Sequence, residues 1–241
     1  MGDLIETKSQ IPFDPSQQLL GIVAPAPQAE TPIRVAVGRN GVVEYSFPDQ
    51  SGLPIGDEQA LESLSELFGA AFQREAKPTG GELTRQYRVT LEGVPCFLVL
   101  GGSNGDQLID SHDGIQVHSA EDIYKVLETR VTGLPELKGV LRDSDGFAFG
   151  VIFAAQSGEL VGDALASGAI SSSKLESELR QLLGEASKVG LRRWDPRAEQ
   201  VSVSSLGQLQ VNDPSFFIQT TVAGSPRLER DLAGILEILK S

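Results

Sequence analysis

The segment Gly101-Gly-Ser-Asn-Gly105 comes closest to a catalytic motif in this sequence, because it matches the pattern G-x-S-x-G. In a nucleophile elbow that pattern exposes a reactive serine, here Ser103, on a turn between a strand and a helix. Residues 106–114 do not have the pattern of a helix, and both histidines, His112 and His118, follow Ser103 closely instead of lying far along the chain. The sequence therefore favours a glycine-rich loop, and a serine hydrolase using Ser103 remains the disfavoured alternative.

The same loop carries an acidic, histidine-bearing stretch that could be considered as a metal site. Loops that bind hard cations place oxygen ligands at alternate positions around a glycine turn. The spacing of Asp106, Asp110 and Asp113 differs from that pattern, so we expect a solvated loop and no metal. The single cysteine, Cys96, excludes an intramolecular disulfide framework and a cysteine-based zinc site. Because it lies beside Phe97 in a predicted strand, we expect a buried apolar side chain and not a nucleophile.

No phosphate-binding loop ending in Gly-Lys-Ser/Thr occurs, and no G-x-G-x-x-G follows a strand. We therefore predict no cofactor, no nucleotide hydrolysis and no enzymatic activity.

One basic cluster, Arg192-Arg193-Trp194-Asp195-Pro196-Arg197, contains the only tryptophan. Arginine and tryptophan are common anchors of protein interfaces, which suggests a partner-binding surface. The alternative is that Trp194 covers the core while the arginines are solvated. The partner-binding hypothesis comprises Arg192, Arg193, Trp194, Arg197 and, near the N-terminus, Leu19, Leu20 and Ile22.

The overall charge restricts the classes of partner. The 241 residues include 20 basic and 33 acidic side chains, for a net charge of −13. This balance argues against nucleic acid and against an anionic membrane surface, since both require clustered basic residues. No run of about 18 apolar residues occurs, so no membrane span is expected. The acidic start lacks the features of a signal peptide, and with one cysteine we expect a cytoplasmic protein.

The elements that must position these residues follow one order twice: strands, a helix, more strands and a closing helix. Asn-Gly at 40–41 predicts a first hairpin, and Ser-Gly at 157–158 predicts its counterpart within 150–161. Helices are expected over 57–75, 119–131, 173–188 and 225–239. We predict an α+β fold of two tandem modules, each an antiparallel sheet flanked by helices. Their ranges are an extended arm at 1–31, a first module at 32–133 and a second module at 134–241.

The join between the modules allows two interpretations. Gly133-Leu-Pro and 143–146 look like linker residues, whereas Lys138-Gly-Val-Leu-Arg142 alternatively forms a strand that ends in a turn at 144–146. The sequence leaves both open.

A helix at 120–131 followed by Gly133-Leu-Pro-Glu-Leu-Lys-Gly-Val-Leu141 resembles the roadblock/LC7 family, and residues 33–131 look like a divergent copy. The resemblance implies a non-catalytic regulatory or assembly scaffold that binds proteins, such as a small GTPase or a larger assembly. It also implies a homodimer or, with two copies in one chain, a monomeric pseudo-dimer. The alternative to a scaffold is a sensory module of the profilin or PAS type that binds a small ligand.

Overall fold

The computed structural model describes residues 33–38, 41–47, 56–75, 85–101, 109–110, 115–116, 119–193, 197–219 and 228–240. Their strands, in chain order, are β1 Arg34–Val37, β2 Val43–Ser46, β3 Phe72–Arg74, β4 Arg85–Leu91, β5 Val94–Leu100, β6 Ile109–Asp110, β7 Ile115–Gln116, β8 Leu137–Arg142, β9 Ala148–Ala154, β10 Glu159–Leu160, β11 Leu191–Arg193, β12 Val201–Val203, β13 Leu209–Val211 and β14 Phe217–Gln219. Their α-helices are α1 Asp57–Phe68, α2 Ala120–Glu128, α3 Val161–Ser167, α4 Ser172–Lys188 and α5 Leu228–Lys240.

The largest sheet of the described residues has seven strands in the order β1-β2-β8-β9-β5-β4-β3. Strand β2 pairs with β8 in parallel, and the other pairings are antiparallel. Its central strand β9 is buried from Ala148 to Phe153, which matches its nearly continuous apolar sequence.

One face of this sheet is covered by α1 and the other by α2. Ala60, Leu61 and Leu64 of α1 lie in one core cluster with Leu98 and Ile152 of the sheet. On the opposite face, α2 contributes to a second cluster that includes Val99 and Val151. Helix α2 begins at a capping box, because the Ser119 hydroxyl accepts the Asp122 amide and the Asp122 carboxylate accepts the Ser119 amide.

Strands β6 and β7 pair as a separate two-stranded sheet. The described residues after Ala154 are mainly helical and carry two further small sheets. One contains β10, β12 and β13, and the other pairs β11 with β14. Their core, a third cluster, joins the apolar side of α4 to α5 and to the buried rings of Phe216 and Phe217. Val126 of α2 also belongs to this cluster, so α2 packs against both the large sheet and the helical part.

The α+β fold class is confirmed, but the tandem repeat is not shown. Strands β8 and β9, assigned by sequence to a second module, lie between β2 and β5 of the same large sheet. The predicted hairpin within 150–161 is wrong. Residues up to Ala154 form β9, whereas Glu159–Leu160 pairs with β12 in another sheet.

Other local predictions agree with the structure. Strand β8 takes the alternative in which Lys138–Arg142 is extended, with a turn through Gly146. The first helix begins at Asp57 as predicted, with Gly56 and not Asp57 as its N-cap, although its α-helical part ends at Phe68, short of the predicted 75.

Candidate functional site

The hairpin β12–β13 is flanked by two polar residues, Gln200 before it and Asp213 after it. Gln200 is 5% exposed, and both ends of its amide have partners. Its Nε2 donates to the Ser215 hydroxyl at 3.1 Å, and its Oε1 accepts the Arg197 amide at 2.8 Å. The Gln200 carbonyl also accepts the Asn212 amide at 2.6 Å, which fixes the two ends of the hairpin together. Gln200 is thus held inside the protein.

Asp213 is turned towards the same serine. One of its carboxylate oxygens, Oδ1, accepts the Ser215 amide at 2.9 Å. This bond caps the short 3-10 turn Pro214–Phe216, whose Pro214 cannot donate an amide hydrogen itself. The side chains of Gln200 and Asp213 therefore meet at Ser215, one on its hydroxyl and the other on its amide.

The hairpin is also packed tightly against the segment that leaves the large sheet. Ser202 is 1% exposed and donates its hydroxyl to Asn212 Oδ1 at 2.8 Å. A Cβ atom at Gly158 would lie 2.7 Å from the Val203 carbonyl oxygen and 2.8 Å from the Ser202 hydroxyl. Only glycine fits here without a shift, so this contact fixes the hairpin relative to β10.

Aromatic rings and a cation lie together on the large sheet. The rings of Phe97 and Phe153 are 5.8 Å apart on neighbouring strands. The Arg88 guanidinium lies 5.9 Å from the centre of the Phe97 ring, within cation–π range. Arg88 also faces Glu75 at 3.9 Å, and its side chain is 62% exposed. We call Arg88, Phe97 and Phe153 the ring–guanidinium cluster.

Cys96 has the environment of a packing residue. It is 2% exposed in β5, and burial raises the pKa of its thiol. A thiol that stays protonated is a poor nucleophile, which supports the expectation from sequence.

Within the predicted basic cluster, Arg193 makes a contact inside the protein. Arg193 Nε lies 3.2 Å from Asp231 Oδ1, so this arginine joins β11 to α5 across a part-buried contact. Arg192 and Arg197 are exposed, and their role in partner binding stays a prediction. Trp194 lies outside the described residues, as do Leu19, Leu20, Ile22, Ser103, His112 and His118.

No group of three potential metal-ligating His, Cys, Asp or Glu side chains comes together in the part of the chain that the structure describes. In the same ranges, no helix combines the length and the apolar character needed to cross a membrane.

No family model and no curated protein matches this chain. Two solved structures to which it is similar are both of WbdD. The first, a crystal structure at 2.2 Å, has 17% identity and a TM-score of 0.46 over 68% of this chain. The second, WbdD with the kinase inhibitor LY294002, has 18% identity and a TM-score of 0.40 over 59%. The chain spans 36% and 32% of their lengths.

The prediction of a non-catalytic regulatory or assembly scaffold is wrong on this comparison. The two structures are of WbdD and not of a roadblock/LC7 scaffold. The alternatives of a profilin-type or PAS-type module and of a Ser103 hydrolase gain no support from it either. At this level of similarity the comparison transfers no activity from WbdD to this chain.

Sequence reasoning missed Gln200 and Asp213. A usable signal was present, because Asp195 precedes Gln200 with four residues between them and Asp213 follows the next hairpin. Aspartate and a carboxamide at this spacing are typical of a kinase catalytic loop, H-R-D-x-x-x-x-N. The segment departs from that pattern, because its carboxamide is glutamine and not asparagine and because Arg193-Trp194 stand where the pattern has His-Arg.

Proposed function

We propose that this chain is a kinase-like domain that binds a nucleotide without transferring its phosphoryl group. The observation that carries the proposal is that Gln200 Oε1 accepts the Arg197 amide and Asp213 Oδ1 accepts the Ser215 amide. In protein kinases the catalytic-loop asparagine and the DFG aspartate hold the magnesium ions. Here the oxygen of Gln200 and one carboxylate oxygen of Asp213, which we place at the corresponding positions, each accept a backbone amide of the chain itself, and this supports a site that works without a metal.

The large sheet supports the loss of phosphoryl transfer. Kinases place a lysine on a strand of their sheet, where it pairs with a glutamate of the covering helix and contacts the phosphates. Strand β5 has no lysine between Val94 and Leu100. Its Val99 instead packs in an apolar cluster with Ile123 and Leu127 of α2. An apolar contact cannot position phosphate oxygens, and Lys138 of β8, the lysine in the described strands of this sheet, pairs with Glu136 at 2.7 Å and not with a helix glutamate, which supports the loss of this part of the chemistry.

The ring–guanidinium cluster supports a ligand of the nucleotide class. A base can stack on an aromatic ring, and this is worth about 1–3 kcal/mol for each base. Arginine next to such a ring supplies planar donors for phosphate oxygens. The Arg88 guanidinium lies over the partly buried Phe97 ring, so both kinds of group come together at one place on the sheet.

The test is to incubate the protein with ATP and Mg²⁺ or Mn²⁺, following ADP release and the intact mass. We expect no transfer, and an ATP affinity by calorimetry that changes by less than about twofold when Mg²⁺ is removed. Phe97→Leu should weaken ATP binding about tenfold, because the stacking ring is lost. Phe147→Leu is the matched control, since Phe147 is 47% exposed and lies outside the cluster. Metal-dependent turnover that disappears in Asp213→Asn would contradict the proposal, as would the absence of ATP binding.

Compartment and partners are further parts of the proposal. A single buried thiol is compatible with the reducing cytosol, where we place the protein. The net charge of −13 disfavours nucleic acid as a ligand beyond single nucleotides.

A further inference from the structure

Two glutamines have a buried side-chain oxygen that accepts no hydrogen bond from the part of the chain that the structure describes. These atoms are Gln156 Oε1, on the segment that leaves β9, and Gln210 Oε1, in β13. Most buried side-chain oxygens in proteins have a donor, because an unpaired buried acceptor costs free energy. We call Gln156 and Gln210 the carboxamide pair.

Backbone contacts bring Gln156 to the outer edge of β13. Its Nε2 donates to the Gly133 carbonyl at 3.4 Å. The amide of Val211, the residue after Gln210, donates to the same carbonyl at 2.8 Å. The side-chain amide of Gln156 and the backbone next to Gln210 therefore meet at one carbonyl oxygen.

The segment 156–158 then crosses one face of the hairpin β12–β13. Gly158 lies close to the Ser202 hydroxyl and directly precedes β10, which pairs with the other edge of the hairpin, on β12. Ser202 is the cross-strand partner of Gln210, and the side chains of such partners lie on the same face of a sheet. The segment therefore covers the face from which Gln210 projects, and both unpaired oxygens belong to one polar site.

The carboxamide pair restricts the chemistry of a ligand at this site. Both unpaired atoms are acceptors, so the ligand has to supply hydrogens. Both side chains are neutral, which disfavours an ammonium ion because a buried charge needs a charged partner. Gln156 cannot become a donor by rotating its amide, since its oxygen would then face the Gly133 carbonyl oxygen. A neutral amino group with two hydrogens meets these requirements.

We propose that the carboxamide pair determines base specificity by accepting the two hydrogens of the amino group of an adenine base. This inference rests on the nucleotide binding proposed above. Leu134, next to Gly133, packs against the cluster that contains Phe97 as well as against the core of the helical part. Phe153 is only three residues from Gln156, a reach of at most about 11 Å. The pair therefore lies beside the rings on which the base would stack.

Calorimetric titration of the full chain with ATP and with ITP tests the proposal, since ITP carries an oxo group where ATP carries the amino group. We expect ATP to bind about tenfold more tightly, because the oxo group would face two acceptors. Gln156→Met and Gln210→Met should each weaken ATP binding about fivefold and reduce the preference over ITP, because one acceptor is lost. Gln208→Met, at an exposed position just before β13, is the matched control and should retain both.

The melting temperature separates loss of binding from loss of folding. Gln210→Met should melt no earlier than the unsubstituted protein, because the oxygen that it removes has no donor in the described chain.

Equal affinities for ATP and ITP would overturn the proposal and leave nucleotide binding in place, as would a preference for ATP that both methionine variants retain. If neither nucleotide binds, this assignment and the proposed function are both wrong.

Discussion

Gly158→Ala is the substitution with the clearest expected cost. The added methyl group would lie 2.7 Å from the Val203 carbonyl oxygen, 2.8 Å from the Ser202 hydroxyl and 3.1 Å from the Ser202 Cβ. The first of these atoms belongs to backbone that is paired in β12, so it cannot rotate away. The chain has to separate β10 from β12 by some tenths of an ångström to accept the methyl group.

Forcing a methyl group into such a contact costs about 1–3 kcal/mol in unfolding free energy. For a chain of this size each kcal/mol lowers the melting temperature by about 2–4 °C. We therefore expect Gly158→Ala to melt roughly 3–10 °C below the unsubstituted protein.

Gly184→Ala is the matched control, since a Cβ at Gly184 would meet nothing within 4 Å. It lies inside α4, where alanine is more favourable than glycine by about 0.5–1 kcal/mol, so its melting temperature should rise. Differential scanning calorimetry of both variants measures the two shifts. If Gly158→Ala melts within about 1 °C of the unsubstituted protein while Gly184→Ala is stabilised, the close approach of β10 to the hairpin is refuted.

Three further predictions concern contacts that join elements. Asp57→Ala should lower the midpoint of urea unfolding, because Arg85 and Tyr87 lose their shared carboxylate at 3.0 Å. An unchanged midpoint would argue against that contact. Arg193→Met should cost about 1 kcal/mol by removing the bond to α5, whereas Arg192→Met should be neutral; equal effects would contradict this role. Burial raises the pKa of the Cys96 thiol, so this thiol ionises at a lower pH in the unfolded chain than in the folded one. The free energy of unfolding should therefore fall above about pH 8.5, and Cys96→Ala should lack this pH-dependent decrease.

Local structure was predictable from sequence where a few neighbouring residues determine it. The pair Ser119 and Asp122 predicts the start of α2, and Glu92-Gly93 predicts the turn between β4 and β5, where Glu92 has a positive φ. The Ser-Gly pair at 157–158 predicts a hairpin that does not form, because Gly158 allows the close approach to β12.

Long-range pairings could not be read in the same way. The parallel register of β2 with β8 joins residues about a hundred positions apart, and no local pattern specifies it. The candidate site was missed for a related reason. The spacing from Asp195 was the one local signal for Gln200, whose contact with Ser215 joins residues fifteen positions apart and depends on the fold, whereas Asp213 contacts Ser215 only two positions away.

The central claim is that Gln200 and Asp213 serve the protein's own backbone and hydroxyl groups and do not hold a metal. Paramagnetic broadening by Mn²⁺ tests it directly, with the Ser215 amide and the Gln200 side-chain amide followed by NMR in the presence of ATP. We predict that, as Mn²⁺ is added, neither of these two signals broadens before the signals of exposed acidic residues do. Broadening that starts at these two signals with micromolar Mn²⁺, and that disappears in Asp213→Asn, would contradict it.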